Sequence, residues 1–331
     1  MKPLRGLSVD TGMCYSPLSE YEFQNLKDDK DIKNALNCGN IYLICGRPRL
    51  FFKDVSLKDG ALSVKVFQKF TSKEFQFDID LLQKYIWDGD GICSIEVGQY
   101  AFGSSSVSWF ETSSSESNQN SSNQMYDGIK VYKINSKQEK TFVVWFNPEK
   151  LIHLILQKTI NASLTGDAQD LFSLVNYDVL YVGRTNNMHW RQSHHEHVQE
   201  ILAREQSKWG DLPTHEICLV SLCVASAEEI VPLGTESEEG VYNKEDYYYD
   251  LEKALVRALD PFYNRDKFLN YPSQDKSCIL HSKLKYDILY YSFDFPIAFN
   301  CKGKHIRGYN NCIRVSSDGT VGIVDLEDSV Q

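Results

Sequence analysis

The spacing of apolar and polar positions changes along the chain. In the first hundred residues the apolar positions come in short runs rich in aromatic and β-branched side chains, Ile41–Cys45, Leu62–Phe67 and Glu74–Ile79. Such runs predict strands. Asp59-Gly60, Asp88-Gly89 and Asp90-Gly91 supply turn chemistry around them. Leu81–Trp87 predicts one helix. Residues 1–103 therefore read as a mainly β domain. Further on, strands and helices alternate. Thr141–Phe146, Asp178–Gly183 and Glu216–Val224 predict buried strands. Pro148–Leu156 predicts a helix with its proline in the first turn. Residues 191–207 carry Val198, Ile201, Leu202 and Ala203 at helical spacing. In residues 251–260, Leu251, Leu255 and Leu259 recur every four positions, with Asp250 as N-cap and Pro261 as stop. From Leu284 to Val324 the text reads as hairpins. The fold class expected is α+β: a β-rich N-terminal domain, then an α/β domain with a strand-rich C-terminal extension.

Composition adds a boundary. Between Ser104 and Gln124 there are ten serines, mixed with Asn118, Gln119, Asn120 and Asn123. Such a stretch buries too little apolar area to offset its ordering entropy, so residues 104–124 read as a flexible linker and 125–331 as the second domain. The chain is otherwise of globular composition, 42% hydrophobic and 24% charged in 331 residues. Its net charge of −10 excludes a general nucleic-acid coat protein; a nucleic-acid site has to be a local basic patch on an acidic body. No apolar run approaches a membrane span, and the first residues have no apolar signal core. The nine cysteines are scattered without CxxC pairs, a pattern suited to a reducing cytoplasmic compartment. One acidic stretch, from Ala227 to Glu252, holds Glu228, Glu229, Glu236, Glu238, Glu239, Glu245, Asp246, Asp250 and Glu252 against Lys244 alone. It reads as a solvated loop, or as a flap that mimics nucleic-acid charge over a basic site.

Candidate chemistry gathers after the strand ending in Tyr181-Val182-Gly183-Arg184. Arg191 and His195 follow at i,i+4, on one face of the next helix. The later helix offers Glu252, and Asn264 follows it in Leu259-Asp260-Pro261-Phe262-Tyr263-Asn264. A phenol, a guanidinium, an imidazole, a carboxylate and an amide suit metal-assisted phosphodiester hydrolysis. The carboxylate would hold a hard divalent cation. Arg191, with Arg184, would bind phosphate oxygens. Tyr181 or His195 would order or deprotonate the water. A zinc site is the competing reading, from His194, His195 and His197 with Cys218 and Cys223. Those cysteines are five apart on a strand and face opposite ways, and a third ligand is not evident.

Residues 140–275 resemble the GIY-YIG nuclease superfamily. Tyr181-Val182-Gly183 matches its second strand motif, Arg191 its helix arginine, Glu252 its metal-binding glutamate and Asn264 its closing asparagine. His195 resembles the histidine of restriction-type members. The first motif, Gly-Ile-Tyr, is not found at the usual short hairpin spacing; Tyr132 and Tyr177 are its candidate substitutes. The resemblance implies a Mg²⁺- or Mn²⁺-dependent endonuclease acting on DNA, with RNA as the other substrate, in bacterial restriction or anti-phage defence. The N-terminal domain would then recognise a target, a regulatory partner or a second copy. The rival expectation is a protein of the same fold that binds nucleic acid without hydrolysis.

Overall fold

The structure is a computed structural model. It describes residues 5–19, 22–23, 29–100, 107–113, 124–165, 171–186, 196–209, 215–230, 244–273, 278–281 and 286–329. The chain forms two compact units. One comprises Met1–Arg47, Asn176–Lys208 and Glu216–Gln331; the other comprises Pro48–Val175 with Trp209–His215.

The first unit is built on one ten-stranded mixed sheet. Its strands are β1 (Gly6–Met13), β2 (Leu18–Ser19), β3 (Ile41–Pro48), β12 (Asn176–Arg184), β13 (His215–Ile230), β14 (Ile288–Phe293), β15 (Ala298–Cys301), β16 (Lys304–Arg307), β17 (Asn311–Ser316) and β18 (Val321–Asp325). The order is β16-β15-β12-β3-β13-β1-β14-β17-β18, with β2 on β13. β12 runs parallel to β15 and β1 parallel to β14. The sheet nearly closes on itself. β3 lies inside it, and its first seven residues are all buried. That explains why Ile41–Cys45 reads as an unbroken apolar run rather than an alternation. Among the described residues, four helices belong here: α1 (Lys30–Leu36), α3 (Glu196–Trp209), α4 (Lys244–Leu259) and the short α5 (Leu326–Ser329). Leu251, Leu255 and Leu259 of α4 are fully buried.

The second unit holds β4 (Leu50–Lys58), β5 (Ala61–Gln68), β6 (Lys73–Asp80), β7 (Ile92–Tyr100), β8 (Val107–Ser113), β9 (Gly128–Ile134), β10 (Lys140–Phe146), β11 (Ala162–Thr165) and helix α2 (Pro148–Leu156). They form two four-stranded sheets, β10-β9-β7-β8 and β11-β6-β5-β4. A mutual backbone pair, Phe52 N to Tyr126 O at 2.7 Å and Tyr126 N to Phe52 O at 2.8 Å, ties β4 to the segment before β9. Burial alternates strictly along β5, the period-two signature of a half-buried strand. The Asp59-Gly60 turn between β4 and β5 has both residues at positive φ, +50° and +80°, which favours glycine and aspartate there. In α2 the Asn147 side chain accepts from the Lys150 amide at 2.6 Å.

The fold class needs correction. Among the described residues 49% are strand and 20% helix, mostly β rather than α+β. The C-terminal strands are not an appendage: β14–β18 continue the sheet that contains β1 and β3. The units are also divided otherwise than at residues 103 and 125. β1, β2 and β3 join the sheet of β12 and β13, and the segment from Pro48 to Val175 is inserted between β3 and β12. Part of the expected linker is strand β8; residues 104–106 and 114–123 lie outside the described residues. Leu81–Trp87 forms turns, not a helix. α4 begins at Lys244, so Asp250 is an interior helix residue and not its N-cap. Among the described residues, no helix is long and apolar enough to cross a membrane.

Candidate functional site

Four of the singled-out residues come together at the end of β12. This strand pairs antiparallel with β3, Gly183 opposite Tyr42 and Arg184 opposite Ile41. The register slips between Val179 and Tyr181. Such a bulge re-aims the residues beyond it. The carbonyl of Leu180, at the slip, accepts the Tyr263 amide at 3.0 Å. Beyond the bulge Tyr181 and Gly183 share a face, and Tyr42 lies on that same face across the ladder.

Gly183 is the closest point of approach. Its backbone is outside the left-handed region, so glycine is required here by space alone. A Cβ would stand 2.5 Å from Tyr42 Cζ, 2.6 Å from Tyr181 Cε1 and 2.6 Å from Tyr42 Oη. The two rings sit 5.9 Å apart at 34°. Tyr42 is buried, and Tyr181 is half-buried.

Arg184, next along, turns toward α4. Its guanidinium lies 3.5 Å from the centroid of the Tyr249 ring, a cation–π stack. Its Nε is 3.6 Å from Glu252 Oε2, both side chains about one-fifth exposed. Tyr249 and Glu252 are three apart and so lie on one face of α4. Burial pushes the Glu252 carboxyl above the usual range, and Arg184 pulls the other way. Asn186 accepts from Arg184 Nη1 at 3.5 Å and from Asn40 Nδ2 at 3.3 Å. The Thr185 amide donates to the Asn40 carbonyl at 2.8 Å. The start of β3 and the end of β12 are thus bound to one another.

Asn264 takes part differently from the way its side-chain chemistry suggests. Its Oδ1 accepts from the Val182 amide at 2.9 Å, and its Nδ2 donates to the Val182 carbonyl at 2.7 Å. Both ends of the amide are engaged by the backbone and the residue is buried. It is a positioning residue, holding β12 between Tyr181 and Gly183. Arg191 and His195 lie outside the described residues, as do His189, His194 and the acidic positions Glu236, Glu238 and Glu239. Within the acidic stretch, Glu228 and Glu229 end β13, and Glu245, Asp246, Asp250 and Glu252 belong to α4.

The two candidates for the unassigned tyrosine have other surroundings. Tyr132 is on β9 in the other unit, donating to Glu96 at 3.1 Å. Tyr177 is buried at the opposite end of β12, where Arg47 stacks 5.7 Å from its ring centre. The phenol that does stand beside Tyr181 and Gly183 is Tyr42, in Gly39-Asn40-Ile41-Tyr42. The tetrapeptide itself was the available signal. It was missed because the inserted unit separates β3 from β12, far beyond a hairpin spacing.

Among the described residues no group of three His, Cys, Asp or Glu side chains could hold a metal ion. Glu252 alone suits Mg²⁺, which takes one or two carboxylates and fills its other positions with water and substrate phosphate oxygens. A zinc site would need a full protein ligand set. Comparison with known proteins returns no match: no family model, no curated protein and no solved structure resembles the chain.

Proposed function

We propose that the chain is a metal-dependent endonuclease of GIY-YIG type that hydrolyses phosphodiester bonds in DNA. The observation that carries this reading is the meeting of Ile41-Tyr42 and Tyr181-Val182-Gly183 on paired strands, with Arg184 and Glu252 at the strand end. In this reading Tyr42 of β3 takes the part of the tyrosine that the resemblance lacked in sequence. Tyr181, the more accessible phenol, orders the attacking water. Arg184 and Arg191 bind phosphate oxygens and follow the charge that grows in the transition state. His195 is the second candidate for moving the water's proton. Asn264 keeps Tyr181 in place through Val182. The chemistry supplied by Mg²⁺ or Mn²⁺ at Glu252 is polarisation of the phosphate and stabilisation of the leaving oxygen. In this reading the enzyme works in the bacterial cytoplasm in restriction or anti-phage defence. The inserted unit, Pro48–Val175, then recognises a target, a regulatory partner or a second copy.

One observation favours a second reading, a protein that binds nucleic acid without cutting it: Arg184 engages the carboxylate that would hold the ion. Incubating the purified chain with plasmid and phage DNA, with and without Mg²⁺, separates the two. The nuclease reading expects Mg²⁺-dependent nicks or breaks, and the second expects retained, uncut complexes.

A further inference from the structure

The loop that follows α4 carries side chains that the proposed chemistry does not use. Phe262 is 65% exposed and Leu269 is 73% exposed. Large apolar groups so exposed are ordinary when isolated; these stand on a segment held at many points. The Tyr263 amide donates to the Leu180 carbonyl at 3.0 Å, and its hydroxyl donates to Glu205 at 2.6 Å. Asn264 clamps Val182. The Phe268 amide donates to Asp266 Oδ1 at 2.9 Å, and Lys267 donates to the Pro261 carbonyl. The Phe262 ring meets Tyr263 edge-on, centroids 5.1 Å apart. Phe262 is therefore presented outward by a braced loop, two residues from the group that positions the proposed site.

Basic side chains stand on the same loop and on the hairpin that meets it at Asp260. Asp260, directly after α4, has positive φ and gathers two lysines, Lys302 Nζ at 2.7 Å and Lys267 Nζ at 3.0 Å. Their hydrogen bonds hold its carboxyl down at about 2. Lys302 comes from the two-residue turn of the β15–β16 hairpin, where Lys302 and Gly303 both have positive φ, +49° and +79°. Lys304 opens β16 directly after the turn, opposite Cys301, and both lysines are exposed. Arg265 is 81% exposed, with Glu200 3.9 Å away. Four cations, Arg265, Lys267, Lys302 and Lys304, stand with three carboxylates, Asp260, Asp266 and Glu200, and Lys267 and Lys302 share Asp260. On a chain of net charge −10 this is a local basic ridge with an aromatic platform beside it.

We propose that the loop Pro261–Leu269 and the β15–β16 hairpin seat an extended nucleic-acid strand, with Lys302 and Lys304 on its phosphates and Phe262 stacked on a base. The proposal rests on the nuclease reading and names where its substrate lies. Charge complementarity selects the occupant. A polyanionic backbone gains from the exposed Lys302 and Lys304 on one hairpin turn, and an unpaired base of any sequence offers a π-face to Phe262.

The test is fluorescence anisotropy of a labelled single-stranded oligonucleotide with the full chain in EDTA, titrated over salt. Each variant is first shown to melt like wild type. Lys302→Gln with Lys304→Gln should lower the slope of log affinity against log salt by about 1.4, roughly 0.7 for each single-strand phosphate contact. Phe262→Ala should weaken binding about fivefold or more and leave that slope unchanged. Wild-type slope and affinity in the lysine variant overturn the seat, as does a wild-type chain that binds no strand. If the seat variants behave as expected but Mg²⁺ produces no cleavage, the seat stands and the nuclease reading falls. If wild type and both variants bind and cut alike, the seat alone falls.

Discussion

Replacing Gly183 by alanine tests the junction on which the site is built. The glycine backbone there is one that alanine adopts freely, so any cost is steric. The new Cβ would meet Tyr42 Cζ at 2.5 Å and Tyr181 Cε1 at 2.6 Å, against an ordinary contact of at least 3.4 Å, so both rings must withdraw by about 0.8–0.9 Å. Tyr42 is in the interior of the sheet and has little room to move. Overpacking of this kind costs about 1–3 kcal/mol. At roughly 2–4 °C per kcal/mol for a unit of this size, the melting temperature should fall by about 2–12 °C. A second substitution separates the contacts. Tyr42→Val removes Cζ and Oη, so adding Gly183→Ala to it should cost clearly less than it does in wild type. Tyr42→Phe removes Oη but keeps Cζ, and should give little relief. Thermal and denaturant unfolding of the single and double variants measure these couplings. A Gly183→Ala chain that melts like wild type would refute the packing, and so would equal relief from Phe and Val at 42.

Three further expectations concern the supporting residues. Asp250 is fully buried and accepts the Tyr291 hydroxyl at 2.7 Å; burial pushes its carboxyl up to about 6 from 3.8. A raised folded pKa favours the protonated form. Its stabilisation is therefore complete below about pH 4 and is lost as pH rises through 6. Denaturant melts of wild type and Asp250→Asn should diverge over that window in favour of the variant, by roughly 3 kcal/mol at most, at about 1.4 kcal/mol per pH unit; parallel curves would count against it. Asn264→Ala strands the Val182 amide and carbonyl and should cost about 2–4 kcal/mol. Asn264→Asp should not restore it, since a carboxylate oxygen would face the Val182 carbonyl; full rescue by Asp, read from denaturant midpoints, would contradict the clamp. Because burial raises Glu252, proton and ion compete there, so the Mg²⁺ concentration needed for half-maximal cleavage should rise on acidification; a requirement independent of pH would count against Glu252 as the ligand.

How much of this was legible in the sequence differs between elements. Strand runs such as Leu62–Phe67 and Asp178–Gly183 were readable, because alternation and β-branched content are local signals. The helix Pro148–Leu156 was readable to the residue, with Pro148 in its first turn. The α4 start was misplaced because Tyr247, Tyr248 and Tyr249 mask the leucine period, and Asp250 resembles a cap when its burial is unknown. The fold class was misjudged for a non-local reason. Nothing in Ile288–Phe293 announces that it will lie parallel to Gly6–Met13 from the far end of the chain. The same reason hid Tyr42: its relation to Gly183 exists only in the strand pairing, across an inserted unit. Glu252 was legible by order along the chain, whereas its engagement with Arg184 and Tyr249 needed the fold.

The central claim is that Glu252 serves an ion-dependent cut beside Tyr181. The most direct measurement is single-turnover cleavage of end-labelled DNA by wild type and Glu252→Gln, in Mg²⁺ and in EDTA, with affinity for the same DNA measured alongside. Glutamine keeps the shape and removes the charge that would hold the ion. The account predicts Mg²⁺-dependent cleavage by wild type, lost by roughly a hundredfold or more in the variant, with DNA affinity and melting temperature retained. Equal cleavage rates in the two proteins, or wild-type cleavage undiminished by EDTA, would contradict it.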